Sequence, residues 1–295
     1  MISCSPTVDP GSEARARRSA SSWAPIRVRD PSEPAEGIGA LRRAFETTSD
    51  SSDATLCAVD GEGRPGLASF VLVHGAVHGA WCWEPLIPYL DARPTTRGVL
   101  AVDLPGHGRR LDLQPFEEIG IDDYVAAVAE DIEAADLRDI VLVGHSLAGI
   151  TIPGVAARLP DRVRRLVHLA SAHPAPGESV MDLMQHPLSP VSRGIGPETM
   201  FCNDLDEERS AWLLGNIGSE PPGPMIESIG PVEVELAEPT VYILCEHDEA
   251  LPPELQREQA RNAGAAEIIP FDSGHSAFAS RPRELAELLI GLGRG

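Results

Sequence analysis

A chain of 295 residues with 42% hydrophobic content is long enough for one large α/β domain or two small ones around a sizeable core. A formal net charge of −21 argues against nucleic acid or an anionic membrane as partner, and no apolar run is long enough to span a bilayer. Every basic residue is Arg, which excludes Lys chemistry such as a Schiff base.

Five cysteines, an odd number widely spaced and without a C-x-x-C pair, read as reduced thiols of a cytoplasmic protein rather than a disulfide framework or a zinc site. Cys82 and Cys245 lie in apolar surroundings and read as packing residues.

Residues 1–66 are dominated by Ser, Pro, Arg, Asp and Glu, and read as a disordered extension with one short helical hint at Ile38–Phe45. The basic piece Arg15–Arg18 leads into no apolar core, against a secretory signal, and ten acidic residues oppose a transit-type leader. A chain begun near Gly63 is expected to fold and stay active.

From Ala68 onward, within a domain read as 67–295, short apolar strands alternate with helices. Ser69–Val73 is a buried strand, Trp81–Leu90 a helix, Gly98–Val102 a second strand, and Asp103–Gly108 a Gly/Pro turn. Ile121–Ala135 is an amphipathic helix with Tyr124, Val128 and Ile132 on one face. Strand Asp139–Val143, helix Ile150–Leu159 and strand Arg164–Ala170 follow. This alternation predicts an α/β fold with a mostly parallel sheet flanked by helices. It lapses over about 172–237, where helical pieces near Ser179–His186 and Glu207–Gly215 read as an insertion folded back as a cap. Met181, Leu183, Met184, Phe201, Trp212, Leu213 and Met225 are candidates to line an apolar pocket there, or simply to hold the cap down. Strand Thr240–Leu244, helix Pro253–Ala263, strand Ala266–Pro270 and helix Pro282–Leu292 complete the chain.

Gly144-His145-Ser146-Leu147-Ala148 sits between a strand and a helix, the context of a sharp turn that lifts a Ser hydroxyl off the strand end. Small neighbours must flank such a Ser, and Gly144 and Ala148 qualify. The Leu147 amide then faces the place of a developing oxyanion. The Ser needs a general base, and the base an orienting acid, each just past a later strand end. His275 is the base. Asp248 is favoured by spacing as the acid, with Glu246 and Asp272 as rivals. A second oxyanion donor is sought in the loop His74–Gly79, where Gly75 permits close approach and Ala76 N–H is the candidate. His74 reads as a brace for that loop, and His168 as a buried or pocket-facing residue of its strand. No metal-ligand spacing and no nucleotide-binding glycine motif occur, so neither metal nor cofactor is expected.

Phe70–Trp83, Val141–Gly149, Val241–Asp248 and Gly274-His275 together resemble the α/β-hydrolase superfamily, closest to plant methylesterases and hydroxynitrile lyases and their bacterial esterase relatives. The resemblance implies an α/β-hydrolase fold with Ser146 as nucleophile, Asp248 as orienting acid, His275 as base, and Ala76 and Leu147 as oxyanion donors. Lyase members carry a Thr where this chain has Gly75 and a Lys where it has Ser276. Their absence favours hydrolysis of a small carboxylic ester, with Trp212, Phe201, Met181 and Met184 expected in the substrate pocket. A lyase or cyclase on the same fold and a triad-retaining receptor are the alternatives. A homodimer is compatible with this reading.

Overall fold

The computed structural model describes residues 67–232 and 234–294, so the readings made for residues 1–66 lie outside it. Six strands form one sheet: β1 (Ala68–Val73), β2 (Thr96–Val102), β3 (Ile140–His145), β4 (Val163–Leu169), β5 (Val241–Cys245) and β6 (Glu267–Phe271). They lie in the order β2-β1-β3-β4-β5-β6, every neighbouring pair parallel. β1, β3 and β5 are buried along their whole length, as expected for strands covered on both faces.

Alternate side chains enter two cores. Phe70, Leu72, Val141, Val143, Val167 and Ile243 pack on one face with Trp83, Phe278 and the inward residues of α10 (Pro282–Gly293). Val71, Val73, Leu142 and Leu166 pack on the other with α2 (Ile121–Ala134) and α3 (Ile152–Arg158). Tyr124, Val128 and Ile132 form the inward face of α2, and Asp123 accepts from Gly120 N–H to close its first turn.

Register decides where the site lies. Val73 is level with Gly144 across the β1–β3 pair, so the loop beginning at His74 and the turn carrying Ser146 leave the sheet side by side. Cys245 is level with Phe271 across β5–β6, which brings the loops of Asp248 and His275 out together.

Several helices differ from the sequence pattern. The helix expected at Trp81–Leu90 is a 3-10 turn over Ala80–Trp83 and a short α1 (Ile87–Asp91). Pro85 lacks an N–H and crowds the carbonyl one turn back, which divides the two. After Ser146 the chain makes a 3-10 turn to Ile150 before α3, because Pro153 fits only a helix's first turn. Between β4 and β5 lie α4 (Val180–Met184), α5 (Pro197–Cys202), α6 (Glu207–Asn216) and α7 (Pro222–Ile226), of which α5 and α7 were not anticipated. α8 (Pro253–Asn262) falls within its expected range, while the short α9 (Ala277–Ser280) was not foreseen. No described helix is long and apolar enough to cross a membrane.

Candidate active site

Ser146 follows β3 directly with φ +52°, a left-handed value that non-glycine residues seldom adopt. Its surroundings leave no slack. A Cβ on Gly144 would come within 2.9 Å of Ile152 Cδ1 and Cγ2 and 3.1 Å of the Ala148 carbonyl, and Ala148 itself is fully buried. Holding a residue in such a conformation costs on the order of 1–3 kcal/mol, which the packed turn must offset. Leu147 lies in the opening turn of the 3-10 segment, where amides have no partner within the helix.

His275 Nδ1 lies 2.7 Å from Asp248 Oδ2, and both side chains are buried. Asp248 Oδ1 also accepts from the backbone amides of Ala250 at 2.7 Å and Leu251 at 2.8 Å. Gln256 Nε2 approaches Oδ2 at 3.4 Å. These donors compensate a carboxylate that would otherwise be buried at high cost. Glu246 is exposed, and Asp272 is exposed and paired with His247 at 2.8 Å. Of the three acids, then, it is Asp248 that contacts His275.

With Nδ1 turned to Asp248, Nε2 is the nitrogen left for a substrate-side proton. Ser146 Oγ makes no hydrogen bond to the ring among the described residues, and such bonds often tighten only once substrate binds. Ser146 and His275 nevertheless line one cavity of about 120 Å³, together with Ala76 and Leu147.

The loop after β1 passes very close to the Ser turn. A Cβ on Gly75 would lie 2.6 Å from Ser146 Cβ, so glycine is required for this approach. His74 braces the loop, as the sequence pattern implied: Nδ1–H donates to Gly75 O at 2.8 Å, and Nε2 accepts from Leu104 N–H at 3.1 Å. Burial, reinforced by the nearby His107, pushes its pKa down to about 3, so the ring is neutral and can play both parts. His145 Nε2–H donates to the carbonyl of His275 at 3.0 Å. Burial first, then the neighbouring His275 and His78, hold His145 well below the usual imidazole range.

Two of the four expected pocket residues line the cavity, and two do not. Met184 and Phe201 do, as do Leu183 and Met225. Met181 is 41% exposed: the inward stripe of α4 is Val180, Leu183 and Met184, leaving Met181 on the opposite side. Trp212 packs against the sheet-side core and edge-on to Trp81, with ring centroids 5.2 Å apart, and Leu213 is buried in that same core. Because α6 delivers its apolar side to the core, neither residue reaches the cavity. Val180, Met200, Leu251 and Leu255 line it instead. A larger cavity of about 530 Å³, between Pro153, His173, Val234 and Thr240, contains none of Ser146, Asp248 or His275.

The segment between β4 and β5 is tied to both site loops. Gly274 N–H donates to Asp204 Oδ2 at 2.7 Å, and the buried Ser276 hydroxyl donates to Phe201 O at 2.7 Å. Glu220 accepts from Val77 N–H at 2.7 Å, in the loop after β1. Asp204 and Glu220 carried no motif in the sequence, and the buried His78 lay within the loop His74–Gly79 without a role assigned to it. Cys82, Cys202 and Cys245 are free and buried, and burial pushes their thiols up, as for packing residues.

A parallel sheet whose strand-end loops bring a strained Ser, a His and a buried Asp together describes an α/β hydrolase. The sequence pattern of the alpha/beta hydrolase family matches residues 70–288, and the chain belongs to that family. Among its relatives, a carbendazim hydrolyzing esterase of Nocardioides sp. is 31% identical over 250 residues, covering 77% of this chain and 100% of the relative. Salicylic acid-binding protein 2 of Nicotiana tabacum is 29% identical over 256 residues, covering 75% and 95%. An extracellular alpha/beta-hydrolase from a Paenibacillus species superposes with a TM-score of 0.65 at 23% identity, over 77% of this chain and 99% of that one.

Proposed function

We propose that the protein is a serine hydrolase that cleaves a small, neutral carboxylic ester through an acyl-enzyme. The observation that carries this reading is the buried Asp248–His275 pair opening on the cavity that holds Ser146 at its left-handed turn. Ser146 Oγ attacks the ester carbonyl while His275 Nε2 takes its proton, and Asp248 holds the imidazole in the productive tautomer. The amides of Ala76 and Leu147 stabilise the oxyanion. Collapse of the tetrahedral intermediate expels the alcohol with the proton from His275. Water, deprotonated by the same nitrogen, then releases the acid.

Segment 172–237 acts as the cap that closes the cavity. Its lining is mostly aliphatic, Met and Phe, with Ser146, Ser189 and His275 as the polar side chains and no Asp, Glu or Arg, which favours an uncharged acyl group of modest size. The esterase names of the relatives support ester hydrolysis, and the free thiols support a reducing, cytoplasmic setting. A burst of p-nitrophenol from p-nitrophenyl acetate, with an acetyl group trapped on Ser146 by mass spectrometry and both lost in Ser146→Ala, is the expected result. Tight binding of a small carboxylic acid with no burst would instead identify a receptor.

A further inference from the structure

The loop after β1 contains Val77 at φ +59°, a conformation that a β-branched residue takes only where its surroundings impose it. Those surroundings come from a segment more than a hundred residues away. Val77 N–H donates to Glu220 Oε2 at 2.7 Å, and Val77 C=O accepts from Gly218 N–H at 2.7 Å. The preceding peptides are held as well. Gly75 C=O accepts from His74 Nδ1–H at 2.8 Å and from His78 N–H at 3.4 Å, and Ala76 C=O accepts from His78 Nδ1–H at 2.6 Å. Among the described residues, the amides of Val77 and His78 thus both have acceptors, while that of Ala76 has none and belongs to the residue lining the Ser146 cavity.

Glu220 is anchored for this task. Its side chain is 10% exposed and meets two further donors, Tyr124 OH at 2.7 Å and His107 Nε2 at 3.1 Å. Burial, then the charge of Glu220, raises the Tyr124 phenol, which stays protonated and able to donate. The carboxylate therefore joins the loop after β1, the loop after β2 and helix α2 at one point, and its own burial is compensated by donors from all three.

We propose that Glu220 is a positioning residue for ester hydrolysis: by holding Val77 N–H it keeps the Ala76 amide turned toward the oxyanion. This rests on the oxyanion role assigned to Ala76 above. Glu220 touches no reacting atom, so its removal should weaken stabilisation of the tetrahedral intermediate and leave binding of the substrate's apolar body intact.

The test uses the full chain with p-nitrophenyl acetate as substrate, phenylboronic acid as a tetrahedral mimic, and thermal unfolding as the structural control. Glu220→Ala should lower kcat about 10- to 100-fold, less than complete loss of an oxyanion donor. KM should move less than about threefold, and boronate affinity should fall with kcat/KM. Glu220→Gln keeps a carbonyl oxygen for Val77 N–H and should restore kcat to within about fivefold of the parent. Tyr124→Phe loses a partner of Glu220 but not the Val77 contact, so its Tm should fall while kcat stays within about threefold. If Glu220→Ala does not fold, the double variant Glu220→Met with Tyr124→Phe keeps the volume and removes the phenol together with the carboxylate. It should show the same loss of kcat.

Unchanged kcat in the Glu220 variants overturns the proposal. So does a loss that follows Tm equally in Tyr124→Phe, or one that appears only in KM. A parent protein with no Ser146-dependent burst would sink the hydrolase reading instead, so the two failures are distinguishable.

Discussion

The loops after β5 and β6 and the segment between β4 and β5 line the same cavity by different means. The first pair sits on strands held in register, and Asp248 meets His275 because Cys245 and Phe271 are level in the sheet. The second has no strand to stand on. Among the described residues it holds four helices, docked by apolar contacts such as Leu213 in the core and by hydrogen bonds such as Asp204 to Gly274 N–H and Glu220 to Val77 N–H. Both depend on contacts distant in the chain, but the sheet places its reacting groups through continuous strand register, whereas the layer laid over it is tied down by individual side-chain contacts.

The sharpest way to break this comparison is to attack the strand-borne pair. Asp248→Asn should preserve the fold but favour the wrong imidazole tautomer, lowering ester turnover by about 10⁴. Glu246→Gln and Asp272→Asn should each lose about tenfold or less, since both acids are exposed. Near-normal turnover in Asp248→Asn, with circular dichroism as the folding control, would transfer the role to another carboxylate.

Next in size is the approach of the first loop to the Ser turn. Gly75→Thr has no room beside Ser146 Cβ and should lower kcat about 10²- to 10³-fold by displacing the Ala76 amide. Adding Ser276→Lys should deepen the loss, because the Ser276 hydroxyl is buried against Phe201 O. Full activity in the double variant would remove both positions from the site. Measured kcat and the boronate affinity described above decide it.

Within the overlying segment, Phe201→Ala should raise KM for a butyryl or benzoyl ester about tenfold, as apolar contact is lost. Met181→Ala should stay within about twofold, because that side chain faces outward. Equal effects of the two would mean that the helices of this segment dock differently in solution.

The smallest effect concerns stability. His168 lies in β4 with both ring nitrogens buried and, among the described residues, without partners, and burial pushes its pKa down to about 3. The unfolded chain takes up this proton near pH 6.5 and the folded chain does not, so the folded state loses stability as pH falls below about 6.5. The loss continues down to the folded value of about 3. His168→Phe, which can keep the stacking on Tyr242, should flatten this acid limb: its stability relative to the parent should be higher at pH 5 than at pH 7.5. Urea unfolding at the two pH values checks the sign.

Strand positions were legible because buried parallel strands are continuous apolar runs, as in Phe70–Val73 and Ile140–Val143, and helix α2 because its face repeats at Tyr124, Val128 and Ile132. The candidate Ser, Asp and His were legible because each lies just past a strand end in the chain order such sites require. The pocket was half legible. Met184 and Phe201 line it, but Met181 and Trp212 were indistinguishable from them by composition, and only the docking of α4 and α6 separates the two pairs. Trp81–Leu90 misled for a local reason, since a proline inside an apolar run divides a helix that periodicity alone would continue.

The sequence by itself determined the alternating α/β class, the turn that presents Ser146, and a short slate of acids for His275, because those depend on local pattern and local backbone strain. Which acid meets the imidazole, which side chains face the cavity, and how Val77 is held at φ +59° were decided by the tertiary structure. Each of those turns on strand register or on a contact such as Glu220 to Val77, across 143 residues of chain, that no local pattern encodes.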